Sequence, residues 1–419
     1  MNCRFSGLWR HRDFTRLWAG QTTSSLGSQI TFLALPLTAI LVLEATPAQM
    51  GVLTALGALP SLFLGVAIGV WMDRRRRRPI LVASDLARAA LLLVVPISVG
   101  LHVLHIEVLY ILALGFGTLS LLFAVGHMSL LPWLVGRKDL VEANAKLALS
   151  GSASQVVGPG IAGALIGLLS APVALVVDAV TFVVSALAIQ SIQAEEPPPA
   201  PSDDTEPIRR FWRDAREGIA LVVRNRVLAA LAGQAATLSL FNSMLEAVWL
   251  LYVTQKLGLS AQLLGIAFAI GGLGFVLGTS VAQPALSRLG VGRAVILGTL
   301  LTATADLMIP LAGGPLPVVI GLLITGQFFF GVGFTVWNVG FVSLRQAATP
   351  TPMLGRMNSV MLILLDGVVP VGALAGGLLG QTLGMRPTLF IAIAGELLAT
   401  LWVVFSPIRA MRELPGNVE

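Results

Sequence analysis

Six acidic residues of this 419-residue chain fall inside long apolar stretches: Asp85, Asp178, Glu246, Asp306, Asp366 and Glu396. An ionised carboxylate in such surroundings is costly unless it is protonated, paired or beside water, so these acids are suited to taking up and releasing protons. Asp85 stands apart, because Arg88 follows one helical turn later and the two can satisfy each other as a structural ion pair. The other five have no cation within about two helical turns on their own stretch. Uncharged polar groups accompany them. Gln21, Ser25, Ser28 and Gln29 recur on one helical face, Ser239, Asn242 and Ser243 share a face with Glu246, and Gln327, Trp337 and Asn338 surround a phenylalanine run at 328–330. Such mixtures suit bulky amphipathic ligands held by area burial and a few hydrogen bonds. The same groups also serve as contacts between helices. His127 could titrate near neutral pH or act as a simple donor.

The elements that carry these residues follow from composition. Apolar residues make up 56% of the chain and charged residues 11%, against about a quarter charged in a soluble protein. A spanning helix needs about 20 apolar residues. Twelve such stretches lie near 14–43, 47–72, 80–101, 106–135, 147–169, 172–193, 226–254, 260–286, 292–312, 316–344, 358–383 and 387–407. Short turns separate them, except at 194–225, where Pro197, Pro198, Pro199 and Pro201 precede a basic run. The expectation is an all-α membrane protein with an N-terminal bundle over 1–193, a central linker over 194–225 and a C-terminal bundle over 226–419.

Several classes drop out. A single cysteine, Cys3, allows no intramolecular disulfide and no cysteine-based metal cluster. None of the three lysines follows a glycine, so the phosphate-cradling loop of an ATP-driven pump is missing. No clustered His, Asp or Ser constellation suggests an enzyme, and neither metal nor cofactor is expected. The first apolar stretch is longer than a signal-peptide core and reads as an uncleaved span. With the N-terminus inside the cell, 24 of the 27 Lys and Arg fall on the cytoplasmic side and only Lys256 and Arg386 outside. This is the positive-inside pattern of an inner-membrane, multi-pass protein with both termini cytoplasmic. The net charge of +6 is then topology rather than nucleic-acid recognition, and anionic lipid is the natural partner of these arginines.

The halves repeat. Ala19-Gly20-Gln21 matches Ala232-Gly233-Gln234, and Ala48-Gln49 matches Ala261-Gln262, both at an offset of 213. Duplicated bundles of this kind place a site near the midplane and alternate access by rocking.

Two further patterns carry a resemblance. Gly69-Val70-Trp71-Met72-Asp73 followed by Arg74 to Arg78 lies between the second and third spans, and Gly158-Pro159-Gly160-Ile161-Ala162-Gly163 lies in the fifth. The first resembles motif A and the second motif C of the major facilitator superfamily, within it the twelve-span drug:proton antiporters. The segments Phe14 to Gln21 and Asp85 to Ala89 look like the branch that includes macrolide and siderophore exporters. Arg76 stands where motif A often has a glycine, and the fourth span lacks the buried arginine of motif B.

The resemblance implies a major-facilitator fold of two pseudo-symmetric six-helix bundles whose spans one, four, seven and ten line a cavity. Gln21, Ser25, Gln29, His127, Ser239, Asn242, Gln327, Trp337 and Asn338 are then cavity candidates. Glu246 is the first choice for proton coupling and Asp366 the second. Asp306 and Glu396 fall on outer spans, where a structural hydrogen bond competes with that role, and a structural contact is favoured for Asp178. Gly69, Asp73, Arg74, Arg77 and Arg78 would gate, and Gly158, Pro159 and Gly163 would bend or seal the fifth span. The implied activity is proton-driven export of hydrophobic or amphipathic small molecules by a monomer. The alternatives are an uptake or uniport carrier of the same fold, or a non-transporting membrane protein such as a lipid scramblase or sensor.

Overall fold

The computed structural model describes residues 7–194, 196 and 207–414, without the side chains at 66, 70, 73, 137, 207–212 and 214. Among the described residues there is no strand. Twelve helices are long and apolar enough to cross a membrane. Span 1 is Arg12–Val42, span 2 belongs to the helix Pro47–Asp73, span 3 is Arg77–Gly100, span 4 Ile106–Gly136, span 5 Lys138–Leu169 and span 6 Ala171–Gln190. Span 7 is Arg226–Gln255, span 8 Ala261–Leu289, span 9 Val291–Leu311, span 10 Leu316–Ala347, span 11 Thr351–Thr382 and span 12 Met385–Val404.

Local chemistry sets the ends. The side chains of His11, Asn225 and Ser260 accept the free N–H groups at the starts of spans 1, 7 and 8. Gly136, at φ 73°, is the single interruption between spans 4 and 5, so span 5 begins at Lys138 rather than near 147. Spans 9 and 11 break beside their acids. Pro310 and Pro370 each lie four residues after an aspartate, Asp306 and Asp366, and lack the N–H that would bond its carbonyl. The helical runs accordingly end at Asp306 and Gly367. The segment 194–225 holds more than a linker: Pro207–Arg224 is a helix. Its Glu217 pairs with Arg356 on span 11 at 2.5 Å.

The chain divides into two compact units, Met1–Ala45 with Leu59–Thr205 and Thr46–Ala58 with Glu206–Glu419. The start of span 2 groups with the second unit through a glycine crossing, in which a Cβ at Gly51 would stand 2.8 Å from the Cα of Gly377. In the first unit Phe14, Leu17, Leu81, Leu130 and Ile189 tie spans 1, 3, 4 and 6 into one core. In the second, Leu231, Val295, Leu344 and Val403 do the same for spans 7, 9, 10 and 12. The repeated glycines perform one task in both units. A Cβ at Gly20 would come 3.0 Å from Ala188 on span 6, and one at Gly233 would come 2.5 Å from the Trp402 ring on span 12.

Candidate functional site

Within the second unit, five spans enclose a cavity of about 190 Å³. Ser239 and Asn242 come from span 7, Thr299 and Thr302 from span 9, Phe330, Phe334 and Trp337 from span 10, Leu365 from span 11 and Glu396 from span 12. The aromatic wall is pre-assembled: Phe330 stacks on Phe334 at 6.0 Å, and Phe334 lies 5.6 Å from Trp337. Gln234, fully buried, fixes the indole by accepting from Trp337 Nε1 at 3.3 Å while donating to Thr299 Oγ1 at 2.9 Å. The Ser239 hydroxyl donates to the Leu365 carbonyl at 2.8 Å, leaving the Asn242 amide as the freer polar group. Drug-sized sites occupy about 300–1,000 Å³. This cavity therefore accommodates one aromatic or aliphatic portion of a larger molecule.

Three acids converge beside it. Glu396 is 2% exposed, and neither of its carboxyl oxygens meets hydrogen-bond geometry. Asp306, Glu246 and the Asn242 amide are its polar neighbours. Asp306 is buried with Oδ2 unpartnered, and it also borders a second cavity of about 20 Å³ with Trp249 and Gln327. That volume holds about one water molecule. Asp306 and Glu396 thus form a carboxyl pair between a small, mainly apolar cavity and a larger one. Glu246 lies one turn beyond Asn242 and is exposed. Among the described residues no ion pair engages any of the three.

The structure brings Ser239, Asn242, Trp337 and Glu396 into one wall, with Asp306, Glu246 and Gln327 next to it, and disperses the remaining candidates. Asp366 is exposed at the break in span 11, Asn338 is exposed on span 10, and Ser243 is buried against Gly372. In the first unit Gln21 is half-buried with Oε1 unpartnered, Ser25 is half-buried, and His127 stacks on Phe123 at 6.1 Å. Gln29 packs over Gly158, where a Cβ would come 2.4 Å from its Cγ. That crossing explains the first glycine of the Gly-Pro-Gly run. Pro159 lies inside span 5, which stays helical to Leu169, and Gly163 is buried. Asp85 and Arg88 form an ion pair.

At the basic cluster, the side chain of Asp73 lies outside the described residues, Gly69 faces open space and Arg74 is exposed. The N-terminus of span 3 is capped by Glu196, which accepts the N–H groups of Arg77 at 2.7 Å and Arg78 at 3.1 Å. The guanidinium of Arg78 donates to the Gln190 carbonyl. Sequence reasoning missed Glu196, Gln234, Thr299 and Thr302. The two threonines, spaced three apart on an apolar span, were the available signal.

Comparison with known proteins agrees with this architecture. The model of the Major Facilitator Superfamily matches residues 17–248. The multidrug efflux pump Tap of Mycolicibacterium fortuitum is 27% identical over 403 residues, covering 94% of each chain. Macrolide efflux protein A of Streptococcus pyogenes is 25% identical over 428 residues, covering 97% of this chain and 98% of its own. Among solved structures, the nucleoside transporter NupG superposes with a TM-score of 0.75 at 12% identity, covering 94% of this chain and 99% of its own. A bacterial homologue of the iron transporter ferroportin gives 0.69 at 19%, covering 95% and 99%. At those identities the two structures speak for the fold alone. Twelve membrane-length helices in an arrangement shared with such carriers, together with a family match over more than half the sequence, make this chain a transporter of the major facilitator superfamily.

Proposed function

We propose that this transporter exports hydrophobic or amphipathic small molecules in exchange for protons, by alternating access across the inner membrane with both termini cytoplasmic. The observation that carries the proposal is Glu396, a buried carboxyl with no cationic partner among the described residues, in the wall of an aromatic cavity beside Asp306, Glu246 and the Asn242 amide. Asp306 and Glu396 are buried side by side and Glu246 adds a third negative charge nearby, so full ionisation of the group is opposed by desolvation of the first two and by mutual repulsion. The group therefore holds protons, and access to water on one side or the other lets it exchange them. Asp366, exposed where span 11 breaks, is a further acceptor. Relatives described as a multidrug efflux pump and a macrolide efflux protein support the outward direction and the bulky cargo. The cluster from Gly69 to Arg78 gates the cytoplasmic side, and the protein works as a monomer among anionic lipids.

The test uses the purified protein in vesicles with an imposed pH gradient, a panel of amphipathic compounds, and Glu246→Gln, Asp366→Asn and Glu396→Gln beside the parent. The parent accumulates cargo against a gradient, and the carboxyl variants lose that accumulation. If all three variants accumulate cargo as the parent does, the site assignment is overturned. If the parent moves no cargo and gives no pH-dependent signal, the exporter reading itself is overturned.

A further inference from the structure

The first unit contains a second group of buried charges with an unbalanced count. Asp85, Arg88 and Asp178 are 0%, 5% and 0% exposed. The Arg88 guanidinium is sandwiched between the rings of Phe123 and Phe182, at 4.4 and 4.3 Å, and bonds directly to Asp85 Oδ1. The hydrogen-bond partners of Asp178 are hydroxyls, Thr31 Oγ1 from span 1 and Thr181 Oγ1 one turn later on its own helix, while Arg88, bonded to Asp85, reaches it only through its field. Two acids and one arginine leave one negative charge uncompensated, and such a charge inside a membrane bundle is expensive. The two carboxyls are not equivalent partners for a proton. Asp85 has the guanidinium, a donor in every state, in direct contact, and this favours its ionised form over that of Asp178. A threonine hydroxyl carries one proton to donate and lone pairs that accept at the same time. Thr181 Oγ1 lies 2.8 Å from both the Asp178 carbonyl and Asp178 Oδ1. With its one proton on the carbonyl, it is free to accept a proton borne by Oδ1.

The remaining groups on the helices packed against span 6 do not supply the missing positive charge. Span 1 offers Thr31 and carries Arg12, Asp13 and Arg16 only in its opening turns. Span 3 offers Asp85 and Arg88, with Arg77 and Arg78 at its start, and span 4 offers Phe123 with His127 stacked on its ring, with Glu107 at its start. Lys138, Asp139, Glu142 and Lys146 lie in the first third of span 5. Span 1 presses on the acid itself, since a Cβ at Gly27 would stand 2.0 Å from Thr181 Oγ1 and 2.2 Å from Asp178 Oδ1.

We propose that Asp178 is a proton-binding site of its own, housed wholly in the first unit, whose proton is exchanged when span 1 loosens from span 6. It is independent of the second-unit carboxyls, so its failure leaves proton-coupled export standing. Infrared difference spectra of the purified full chain, recorded between high and low pH without any cargo, test it. The parent shows a protonated-carboxyl band that Asp178→Asn removes. Asp85→Asn frees Arg88 to pair with Asp178 and removes the same band. Retention of every parent band in Asp178→Asn, or of that band in Asp85→Asn, overturns the proposal. Asparagine imitates the protonated acid, so the first variant is expected to fold. Should it fail to, Asp85→Asn decides the question alone.

Discussion

Replacing Glu396 with glutamine keeps the shape of the cavity wall and deletes one exchangeable proton. The consequence is thermodynamic and can be sized. One pH unit across the membrane is worth about 1.4 kcal/mol per exchanged proton, roughly a tenfold cargo gradient. With an imposed difference of about two pH units and the membrane potential clamped at zero, each proton in the cycle multiplies the attainable cargo ratio by roughly 100. Glu396 is 2% exposed, and the neutral amide matches its protonated form in size and charge. Folding stability is therefore expected to stay within about 1 kcal/mol of the parent. The plateau of cargo accumulation, however, falls by roughly 100-fold. Steady-state uptake of a fluorescent amphipathic compound into inverted vesicles reads that plateau. An unchanged plateau refutes the reasoning, and so does a slower approach to the same plateau, which would make Glu396 a kinetic rather than a coupling residue.

Other expectations concern packing and polar contacts. Gly395→Ala sets a Cβ about 2.1 Å from the Phe241 ring and should destabilise by about 1–3 kcal/mol in a denaturation assay, whereas Gly313→Ala, with open space around it, should not. Gln234→Leu leaves Thr299 and the Trp337 indole without a shared partner, and should cost about 1–3 kcal/mol and broaden the tryptophan emission. Glu196→Gln weakens the anionic cap on span 3 and should lower stability by about 0.5–2 kcal/mol, an effect that shrinks with added salt. Trp337→Ala removes part of the stacked wall and should weaken binding of an aromatic ligand several-fold by equilibrium titration, with little effect on an aliphatic one.

Length and composition locate the spans because a bilayer demands long apolar runs, and the ends found in the structure lie close to the charged and turn-forming breaks. The azimuth of each helix was harder to read. Periodicity groups Ser239, Asn242, Ser243 and Glu246 on one face, yet Ser243 turns under Gly372 while Ser239 and Asn242 reach the cavity. A stripe identifies neighbours on one helix without saying what faces them. The fold resemblance puts Glu396 on an outer span, yet it joins the cavity because spans 7, 9, 10, 11 and 12 leave a gap inside their own bundle. The helix Pro207–Arg224 was hidden by its charge, since a search for apolar runs passes over a helix with one wet face.

The matched contacts of Gly20 and Gly233 bear on how the molecule can move. Each brings the opening helix of a half within touching distance of the closing one, through a missing side chain that any larger residue would fill. Two such seams at matched positions pin the first and last helices of each half at one level, so that in the first half any loosening of span 1 from span 6 near Asp178 pivots about Gly20. Deformation during a transport cycle is thereby concentrated in the helices that are already broken, above all those interrupted after Asp306 and beside Asp366.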